Sequence, residues 1–480
     1  MPTTDATAVS TTPEGAAPAR RRTWILITCC MSLFISTMNA SVVNVALPAL
    51  RRDLGASTAA LQWTVDAFTL VVAAFLLMAG TTADRVGRRR TFALGLFTFA
   101  LGSALSAMSP SVELLIAARC VQALGASMLN PVALSIITTT FTEPHARARA
   151  IGAWGAVVGV SLGVGPLVGG LLVDAFSWHA VFWMNVPVAL AVLAMTVVFV
   201  PESRSAVPRR FDLPGQVLLV VLLTAVVAVL IEAPERGPGA PLTVGLGAAA
   251  VVAAALFVVV ERRVSQPVLN PRFFHSVPFT SSVITALALF SVQGGFMFIM
   301  SVYLQETRGF SPLQAGAALI PLALCQAVAA PVSGHLVSAR GTRPPLVLGG
   351  LILAAAGCVL AVIPDDVGMP PLAGLFALIG LSLGLVNPPI TTTAVAGMPL
   401  SQAGAASGVA ASSRQVGIAL GVALAGLVSG NGGLTLVSAR PIWVAMALAG
   451  ALITALGLLA ATPWARRTVD DLGPLFEPGH

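Results

Sequence analysis

Long apolar runs recur along the whole chain, and the polar residues gather in the short segments between them. A helix that crosses a lipid bilayer needs about 20 mostly apolar residues. On this criterion the pattern predicts fourteen spanning helices, near residues 24–50, 60–81, 91–109, 111–140, 150–174, 179–200, 213–233, 241–260, 278–304, 312–338, 345–364, 370–397, 404–429 and 440–462. Because this number is even, both termini are expected on the same side of the membrane.

The composition also indicates a polytopic membrane protein. Of the 480 residues, 56% are apolar and 9% are charged, whereas about 25% of the residues in a soluble protein are charged. The net charge is +7, and all 26 basic residues are arginines. These arginines lie in short loops between apolar runs, which disfavours a nucleic-acid partner. The absence of lysine, together with 45 glycines and 33 prolines, favours a high-GC bacterial gene and therefore a bacterial inner membrane.

The arginines orient the predicted helices. Cytoplasmic loops of membrane proteins carry an excess of Lys and Arg. Counted on alternate loops, nineteen arginines fall on one side of the membrane and five on the other, the five being Arg51, Arg52, Arg236, Arg308 and Arg440. Both termini are therefore expected in the cytoplasm.

An internal repeat divides the chain. The arginine-rich segment 80–90 has a weaker copy at 334–343, with a glycine pair again seven residues apart and an offset of 254 residues. This offset maps the first predicted helix onto the ninth. We therefore predict an all-α integral membrane protein with 14 transmembrane helices, in which two six-helix bundles are related by a pseudo-two-fold axis and a two-helix insertion lies between them. Two such halves, with a binding site between them near the midplane, form a transporter architecture.

The predicted domain boundaries follow from this repeat. They are a disordered cytoplasmic tail at 1–22, an N-terminal six-helix bundle at 23–200, the two-helix insertion with its linkers at 201–277, a C-terminal six-helix bundle at 278–462 and a cytoplasmic tail at 463–480. The first apolar run exceeds the apolar region of a signal peptide and has no cleavage pattern, so we expect it to be retained.

Several segments resemble the sequence motifs of one transporter family, in order and in spacing. Residues 80–90 resemble its loop between helices 2 and 3, residues 119–125 its helix 4 motif and residues 163–170 its helix 5 motif. Further matches are SVVNVALP at 41–48, LQWTVDAF at 61–68, the segment 178–187 ending in NVP, and SGVAASSRQVG at 407–417. Together they make the chain similar to the major facilitator superfamily and, within it, to the fourteen-helix drug:proton antiporter branch, which contains multidrug efflux transporters.

The first helix departs from this branch at one position. The branch usually has an aspartate four or five positions before the Val-Asn-Val run, and here Asn39 occupies that region. An amide cannot take up or release a proton. Proton coupling is therefore expected to depend on other residues.

Two ionisable residues lie inside predicted spans, Asp66 in the second and Arg119 in the fourth. Such side chains are costly in a bilayer unless they are paired or hydrated. Asp66, Arg119 and Asn39 lie about 9, 12 and 16 Å inward from the outer helix ends and could form one polar layer. We predict that Asp66 and Arg119 carry proton coupling, with Arg119 controlling the ionisation of Asp66. The alternative is a structural Asp66 and an Arg119 that extends to the outer surface.

The segment 80–90 has two interpretations. In the first, its arginines only keep this loop on the cytoplasmic side of the membrane, but this interpretation does not explain Asp84. The resemblance implies a conformational latch, in which Asp84 meets the positive N-terminal end of the thirteenth helix and closes the inner side. The predicted latch residues are Gly80, Asp84, Arg85, Gly87 and Arg88.

The fifth predicted helix carries glycine at every fourth position. Such a smooth stripe lets another helix approach closely, and the resemblance implies that this contact seals the protein against proton leak. The predicted antiporter-helix residues are Gly155, Gly159, Gly163, Gly165, Pro166, Gly169 and Gly170.

A substrate cavity is predicted between the halves. Its candidate residues mix amide, aromatic and thioether groups, which suits loosely specific binding of amphiphiles. They are Asn39, Trp63, Gln122, Asn130, Trp154, Gln293, Phe296, Met297, Met300, Tyr303, Gln326, Asn387, Arg414 and Gln415. Arg414 could meet an anionic group or bond to backbone carbonyls. One intramembrane acid and one midplane arginine favour neutral, zwitterionic or monocationic substrates over dications.

These features predict a proton-coupled antiporter that exports amphiphilic drugs or antibiotics by alternating access. We expect it to act as a monomer, driven by the proton motive force without a cofactor or metal. A dedicated metabolite exporter and a proton-coupled solute importer are alternatives. A membrane-embedded enzyme or a sensor is disfavoured, because the five histidines lie in loops, at span ends or in the tail, and no soluble domain of useful length is attached. The five cysteines show no metal-binding spacing.

Overall fold

The computed structural model describes residues 19–204, 212–264, 267–398, 402–427, 434–460 and 462–470. Most of the predicted N-terminal tail and the end of the predicted C-terminal tail, at 1–18 and 471–480, lie outside the described residues. Within the described ranges the secondary structure is helical and contains no strand. The predicted fold class, an all-α integral membrane protein, is confirmed.

The helices follow the predicted spans closely. The first half contains α1 Ala19–Leu54, α2 Thr58–Val86, α3 Arg88–Ala107, α4 Val112–Thr140, α5 Pro144–Ala175, α6 Trp178–Trp183 and α7 Asn185–Phe199. The insertion contains α8 Leu213–Arg236 and α9 Pro241–Glu261. The second half contains α10 Val277–Val302, α11 Pro312–Ala318, α12 Ile320–Arg340, α13 Arg343–Val362, α14 Met369–Ala396, α15 Ala403–Gly426, α16 Arg440–Leu459 and α17 Pro463–Asp470.

Thirteen of the described helical spans are long and apolar enough to cross a membrane, and α5, which bends by 41°, makes a fourteenth. Two spans that the hydropathy pattern predicts as single helices contain a break. The sixth divides into α6 and α7 at Met184, and the tenth into α11 and α12 at Leu319. Pro187 and Pro321 follow these breaks. Proline has no N–H to donate to the preceding turn, so each one interrupts the backbone hydrogen bonding of its helix.

The helix packing repeats between the halves. In the first half α1 packs on α5, α2 on α4 and α3 on α7, and in the second half α10 packs on α15, α12 on α14 and α13 on α16. These pairs correspond under the 254-residue offset. The internal repeat in the sequence is therefore also a repeat in the packing of the helices.

The insertion covers one seam between the halves. Its helix α8 packs on both α2 and α15, while α9 packs on α8. Gln216 Nε2 donates to the carbonyl of Ala74 at 2.7 Å, and Trp63 Nε1 donates to Glu232 Oε1 at 3.1 Å. An apolar cluster joins the three helices, with Leu70 from α2, Val227 and Ile231 from α8, and Ala419 and Ala423 from α15.

The two halves meet differently at the two ends of the molecule. At the end that carries Arg51, called here the Arg51 end, α5 packs against α11, beside a cavity of about 950 Å³ that residues of both halves line. At the opposite end, which carries the segment 80–90 and is called here the arginine-rich end, a cavity of about 500 Å³ lies between α2, α4, α8 and α15. This entrance cavity is lined by residues of the insertion as well as of both halves.

Candidate functional site

A buried polar cluster occupies the centre of the first half. Asn39 Oδ1 accepts hydrogen bonds from Gln122 Nε2 at 3.2 Å and from Asn185 Nδ2 at 2.9 Å. Gln122 Nε2 also donates to Ser103 Oγ at 2.7 Å. The four side chains belong to α1, α3, α4 and α7, and all are buried. Asn39 is thus the acceptor at which two other amides meet.

Arg119 belongs to the same cluster. Its Nη1 donates to Gln122 Oε1 at 2.5 Å, and its Nε donates to the backbone carbonyl of Thr64 at 3.1 Å. The guanidinium carbon lies 4.2 Å from the centre of the Phe68 ring, a distance at which cation–π attraction is effective. Only 1% of Arg119 is exposed. The alternative in which Arg119 extends to the outer surface is therefore wrong.

Asp66 lies on a face of α2 other than the one that contacts Arg119. It is fully buried, and neither of its carboxylate oxygens has a well-formed hydrogen bond, because the neighbouring Thr69 hydroxyl donates to the backbone carbonyls of Val65 and Asp66. Gln62 and Leu70, one helical turn before and after it, both contact α15: Gln62 Nε2 donates to the carbonyls of Val422 and Ala423 at 2.7 and 3.0 Å, and Leu70 packs in the cluster with α15. Residues four apart share a helix face. Asp66 therefore lies at the seam where the first half meets the second.

The predicted polar layer is only partly formed. Asn39 and Arg119 are joined through Gln122, but no salt bridge among the described residues joins Asp66 to Arg119. A buried ionised carboxylate without a partner is costly. The position of Asp66 therefore suits a group that alternates between a neutral and an ionised form. In this conformation no salt bridge lets Arg119 control the ionisation of Asp66 directly.

Among the described residues, no hydrogen bond joins Asp84 to the start of α15, so the predicted latch contact is not formed in this structure. Gly80, Asp84 and Gly404 all line the entrance cavity, so the structure brings Asp84 to the same space as the start of α15. The hydrogen-bond partner found for its carboxylate is Arg88, whose Nη2 lies 3.3 Å from Asp84 Oδ1 on the same side of the cavity. Arg85 is exposed beside it. The latch with α15 stays a prediction for another conformation.

A contact that the sequence did not indicate holds the loop at Gly87. The backbone N–H of Arg89 donates to Glu202 Oε1 at 3.2 Å, and Arg90 Nε lies 3.6 Å from Glu202 Oε2. Gly87 has a φ of 118°, and a Cβ there would collide with the Glu202 carboxylate. The backbone conformation therefore favours glycine at this position, and a side chain there would also displace the Glu202 carboxylate.

The glycines of α5 serve two interfaces. A Cβ at Gly165 or Gly169 would strike Ser41 or Val42 of α1. On the opposite face, a Cβ at Gly170 would strike the backbone of Pro312 and Leu313, while Gly163 and Gly159 face Ala323 and Ala327 of α12, and Pro166 lies against Gly316. Gly155 has no neighbour within 4 Å of a Cβ built there. The stripe thus joins α5 to its own half and to the other half at the Arg51 end.

The predicted cavity residues fall into separate environments. Phe296, Met300 and Tyr303 are fully buried. Phe296 packs against Phe376 and Trp443, and the Tyr303 hydroxyl donates to the carbonyl of Asp365, so these side chains form part of the core of the second half. Trp63 faces the insertion through Glu232, away from the space between the halves.

Other candidates have buried polar atoms without partners. These atoms are Asn130 Oδ1, Trp154 Nε1, Gln293 Oε1, Asn387 Oδ1 and Arg414 Nε. Arg414 Nη2 donates to the Thr391 hydroxyl of α14, and its guanidinium carbon lies 5.8 Å from the centre of the Phe290 ring. The partner of Arg414 is thus a hydroxyl rather than a backbone carbonyl, and its Nε is left to meet another acceptor. Met297 and Gln326 are buried and Gln415 is half-buried.

Polar contacts between α1 and the end of α10 hold the Arg51 end together. Arg51 Nη1 and Glu306 Oε2 are 2.7 Å apart, Gln305 Nε2 donates to the carbonyl of Val45 at 2.9 Å, and the Ser301 hydroxyl donates to the carbonyl of Asn44. Residues 303–307 form a single π-helical turn at the end of α10. Such turns are frequent at functional sites. Sequence reasoning missed this contact because it assigned Arg51 and Glu306 only to helix ends.

Comparison with known proteins agrees with this arrangement. Residues 29–422 match the family model described as the Major Facilitator Superfamily. The chain is 39% identical over 421 residues to the puromycin resistance protein pur8 of Streptomyces alboniger, covering 86% of this chain and 82% of that protein. It is 35% identical over 403 residues to the multidrug resistance protein Stp of Mycobacterium tuberculosis, covering 84% of this chain and 75% of that protein. The crystal structure of a bacterial homologue of the human lysosomal transporter Spinster superposes with a TM-score of 0.65 at 19% identity, covering 95% of this chain and 99% of that one.

Proposed function

The chain belongs to the major facilitator superfamily, and on this basis we propose that it is a proton-coupled antiporter that exports amphiphilic drugs or antibiotics by alternating access. Relatives named for multidrug and for puromycin resistance support export of such compounds. In this proposal the arginine-rich end faces the cytoplasm of a bacterial cell, because cytoplasmic loops carry the excess of arginine. Both termini are then cytoplasmic.

The observation that carries the proposal is the burial of Asp66 at the seam between the halves, with neither carboxylate oxygen in a well-formed hydrogen bond. Intramembrane carboxylates mark proton pathways in pumps and transporters. The solvation of a carboxylate at this seam changes whenever the packing of α2 against α15 changes. Proton binding favours its burial, and ionisation favours a conformation in which the seam admits water or a cation.

The contacts of the two ends support alternating access. The halves touch at the Arg51 end through Arg51 and Glu306, while the entrance cavity lies between them at the arginine-rich end. On the predicted outer side the halves are therefore in direct contact, beside the cavity that lies there. In the opposite conformation, Asp84 would meet the start of α15 and the Arg51 end would part.

Proteoliposomes with an acidic lumen test the proposal, because an antiporter moves puromycin inwards while protons leave. The wild-type chain is expected to accumulate labelled puromycin only under the gradient. Asp66→Asn should abolish this accumulation while retaining gradient-independent puromycin exchange, and Asp366→Asn, at an exposed acid, should resemble the wild type.

Two results would contradict the proposal in different ways. Full gradient-driven accumulation by Asp66→Asn would remove Asp66 from proton coupling. Wild-type vesicles that move neither puromycin nor ethidium under a gradient would exclude a drug exporter and favour a dedicated metabolite transporter.

A further inference from the structure

Two buried carboxylates meet where the insertion begins and ends. Asp212 immediately precedes α8, and Glu261 is the last residue of α9. Only 8% of Asp212 and 2% of Glu261 is exposed. A Cβ added at Gly215 would strike both Asp212 Oδ2 and Glu261 Oε1, so these two oxygens lie within about 5 Å of each other.

One oxygen of each carboxylate is already occupied. The backbone N–H of Gly215 donates to Asp212 Oδ1 at 2.9 Å, and that of Leu269 donates to Glu261 Oε2 at 3.1 Å. The remaining oxygens, Asp212 Oδ2 and Glu261 Oε1, are buried and have no hydrogen-bond partner. Each is therefore an unsatisfied acceptor directed into the same space.

In the part of the chain that the structure describes, no salt bridge brings a positive charge to this space; Arg209 and Arg210, shortly before Asp212, lie outside that part. No salt bridge among the described residues involves Asp212 or Glu261. Arg262 and Arg263, next along the chain, are exposed. The entrance cavity lies beside the pair. Its lining includes a further acid, Asp84 of α2, and the residues that α4 and α15 contribute to it are uncharged.

Two ionised carboxylates in such a space would repel each other and would lack the solvation that an ionised group needs. We propose that Asp212 and Glu261 form a proton-binding site, in which Glu261 Oε1 holds one proton taken from water and directs it towards Asp212 Oδ2. The bound proton leaves the pair with a single negative charge.

The location of the pair allows its protonation to affect the linker that leads to the second half. The pair connects the start of α8, the end of α9 and, through Leu269, the linker that leads to α10 of the second half. Loss of the proton makes the two carboxylates repel, which moves the Glu261 side chain away from Asp212 together with the linker that it holds at Leu269. The site therefore senses pH at the arginine-rich end and is separate from Asp66, so it does not depend on the proposed transport mechanism.

Infrared difference spectroscopy of the purified full-length protein in lipid tests the site directly. A pH titration should reveal a carboxyl C=O stretch that disappears as the pair loses its proton, and this band should be absent in Glu261→Gln. The matched control is Glu235→Gln, at a carboxylate near the other end of α8, which should keep the band. Asp212→Asn provides a second variant, because its side-chain oxygen can still accept from Gly215 N–H.

Hydrogen exchange of the linker reports the consequence. The intrinsic exchange rate of every amide rises with pH, so the measured rate is first divided by it. The corrected exchange of the peptide around Leu269 should change several-fold with pH in the wild type and should be independent of pH in Glu261→Gln, whose neutral amide still accepts from the linker. The proposal is overturned if the band survives in both Glu261→Gln and Asp212→Asn. It is also overturned if the band appears only after a chelator removes a cation, since the pair would then bind a metal ion.

Discussion

Arg51 and Glu306 form a salt bridge of 2.7 Å between the two halves, and their separation of 255 residues nearly equals the 254-residue offset of the internal repeat. Residues at equivalent positions of two halves related by a two-fold axis come together where they lie near that axis. The salt bridge is therefore a contact close to the pseudo-two-fold axis at the Arg51 end. In the proposed opposite conformation, the halves would separate at this end and the salt bridge would break.

We expect Glu306→Gln to open the Arg51 end more often. Both side chains are 31% exposed, so the salt bridge contributes only about 0.2–1 kcal/mol, which corresponds to a rise of up to about fivefold in the open population. A cysteine introduced at buried Ala49, in a background without the native cysteines, should react faster with an impermeant maleimide. The charge swap Arg51→Glu with Glu306→Arg should restore slow labelling, and unchanged labelling in Glu306→Gln would show that the salt bridge does not hold this end closed.

Asn39→Asp is expected to fold normally and to change proton stoichiometry. Asn39 Nδ2 has no hydrogen-bond partner, so the substitution removes no bond, and an aspartate oxygen can still accept from Gln122 and Asn185. The variant gains a titratable group in the cluster that contains Arg119. A pH-sensitive dye in proteoliposomes should record more protons released per puromycin than in the wild type, and an identical ratio would mean that this cluster does not communicate with transport.

Asn39→Leu tests the structural role of the same side chain. It leaves Gln122 Nε2 and Asn185 Nδ2 without the acceptor that they share. An unsatisfied buried donor costs about 1–3 kcal/mol, so the thermal unfolding temperature in detergent should fall. A melting temperature equal to that of the wild type would show that water or another acceptor replaces Asn39.

Gly170→Leu and Gly155→Leu form a matched pair on α5. A side chain at Gly170 meets the backbone of Pro312 and Leu313, whereas one at Gly155 meets nothing within 4 Å. Gly170→Leu should therefore force the halves apart at the Arg51 end, lower expression and increase passive proton leak. Gly155→Leu should express like the wild type, and equal leak in the two variants would argue against a seal at Gly170.

The two glycines of the segment 80–90 are expected to respond in opposite ways to alanine. Gly87 has a left-handed φ and lies against Glu202, whereas Gly80 is helical with no atom close to an added Cβ. Gly87→Ala should destabilise the protein by at least about 1–2 kcal/mol, and Gly80→Ala should be neutral or stabilising by up to about 1 kcal/mol. Thermal unfolding of the two variants measures the difference, and equal stability would mean that the loop can rearrange around Gly87.

The helices could be predicted from the sequence because bilayer thickness imposes a minimum length of about 20 apolar residues on every span. The structure confirms a helix at each predicted span, and the packing pairs follow the internal repeat. The breaks at Met184 and Leu319 were missed, although Pro187 and Pro321 mark them. Hydropathy reports how far a segment extends through the membrane and is insensitive to such local interruptions.

The partners of the polar residues could not be predicted in the same way. Depth along the helix placed Asp66, Arg119 and Asn39 in one layer, but depth does not fix rotation about the helix axis. Asp66 lies on the face of α2 that meets α15, whereas Arg119 points to Gln122 inside the first half. The salt bridge of Arg51 and Glu306 could have been predicted from the sequence, because these two opposite charges lie at the same predicted end and are separated by almost one repeat.

The attachment of α8 to both halves restricts how they can move. Gln216 fixes α8 to α2, and Val227 and Ile231 pack it on α15. A rotation of one half against the other must therefore shear at least one of these two faces of α8. Alternating access would therefore have to rearrange the contacts of α8 as well as those between the two halves.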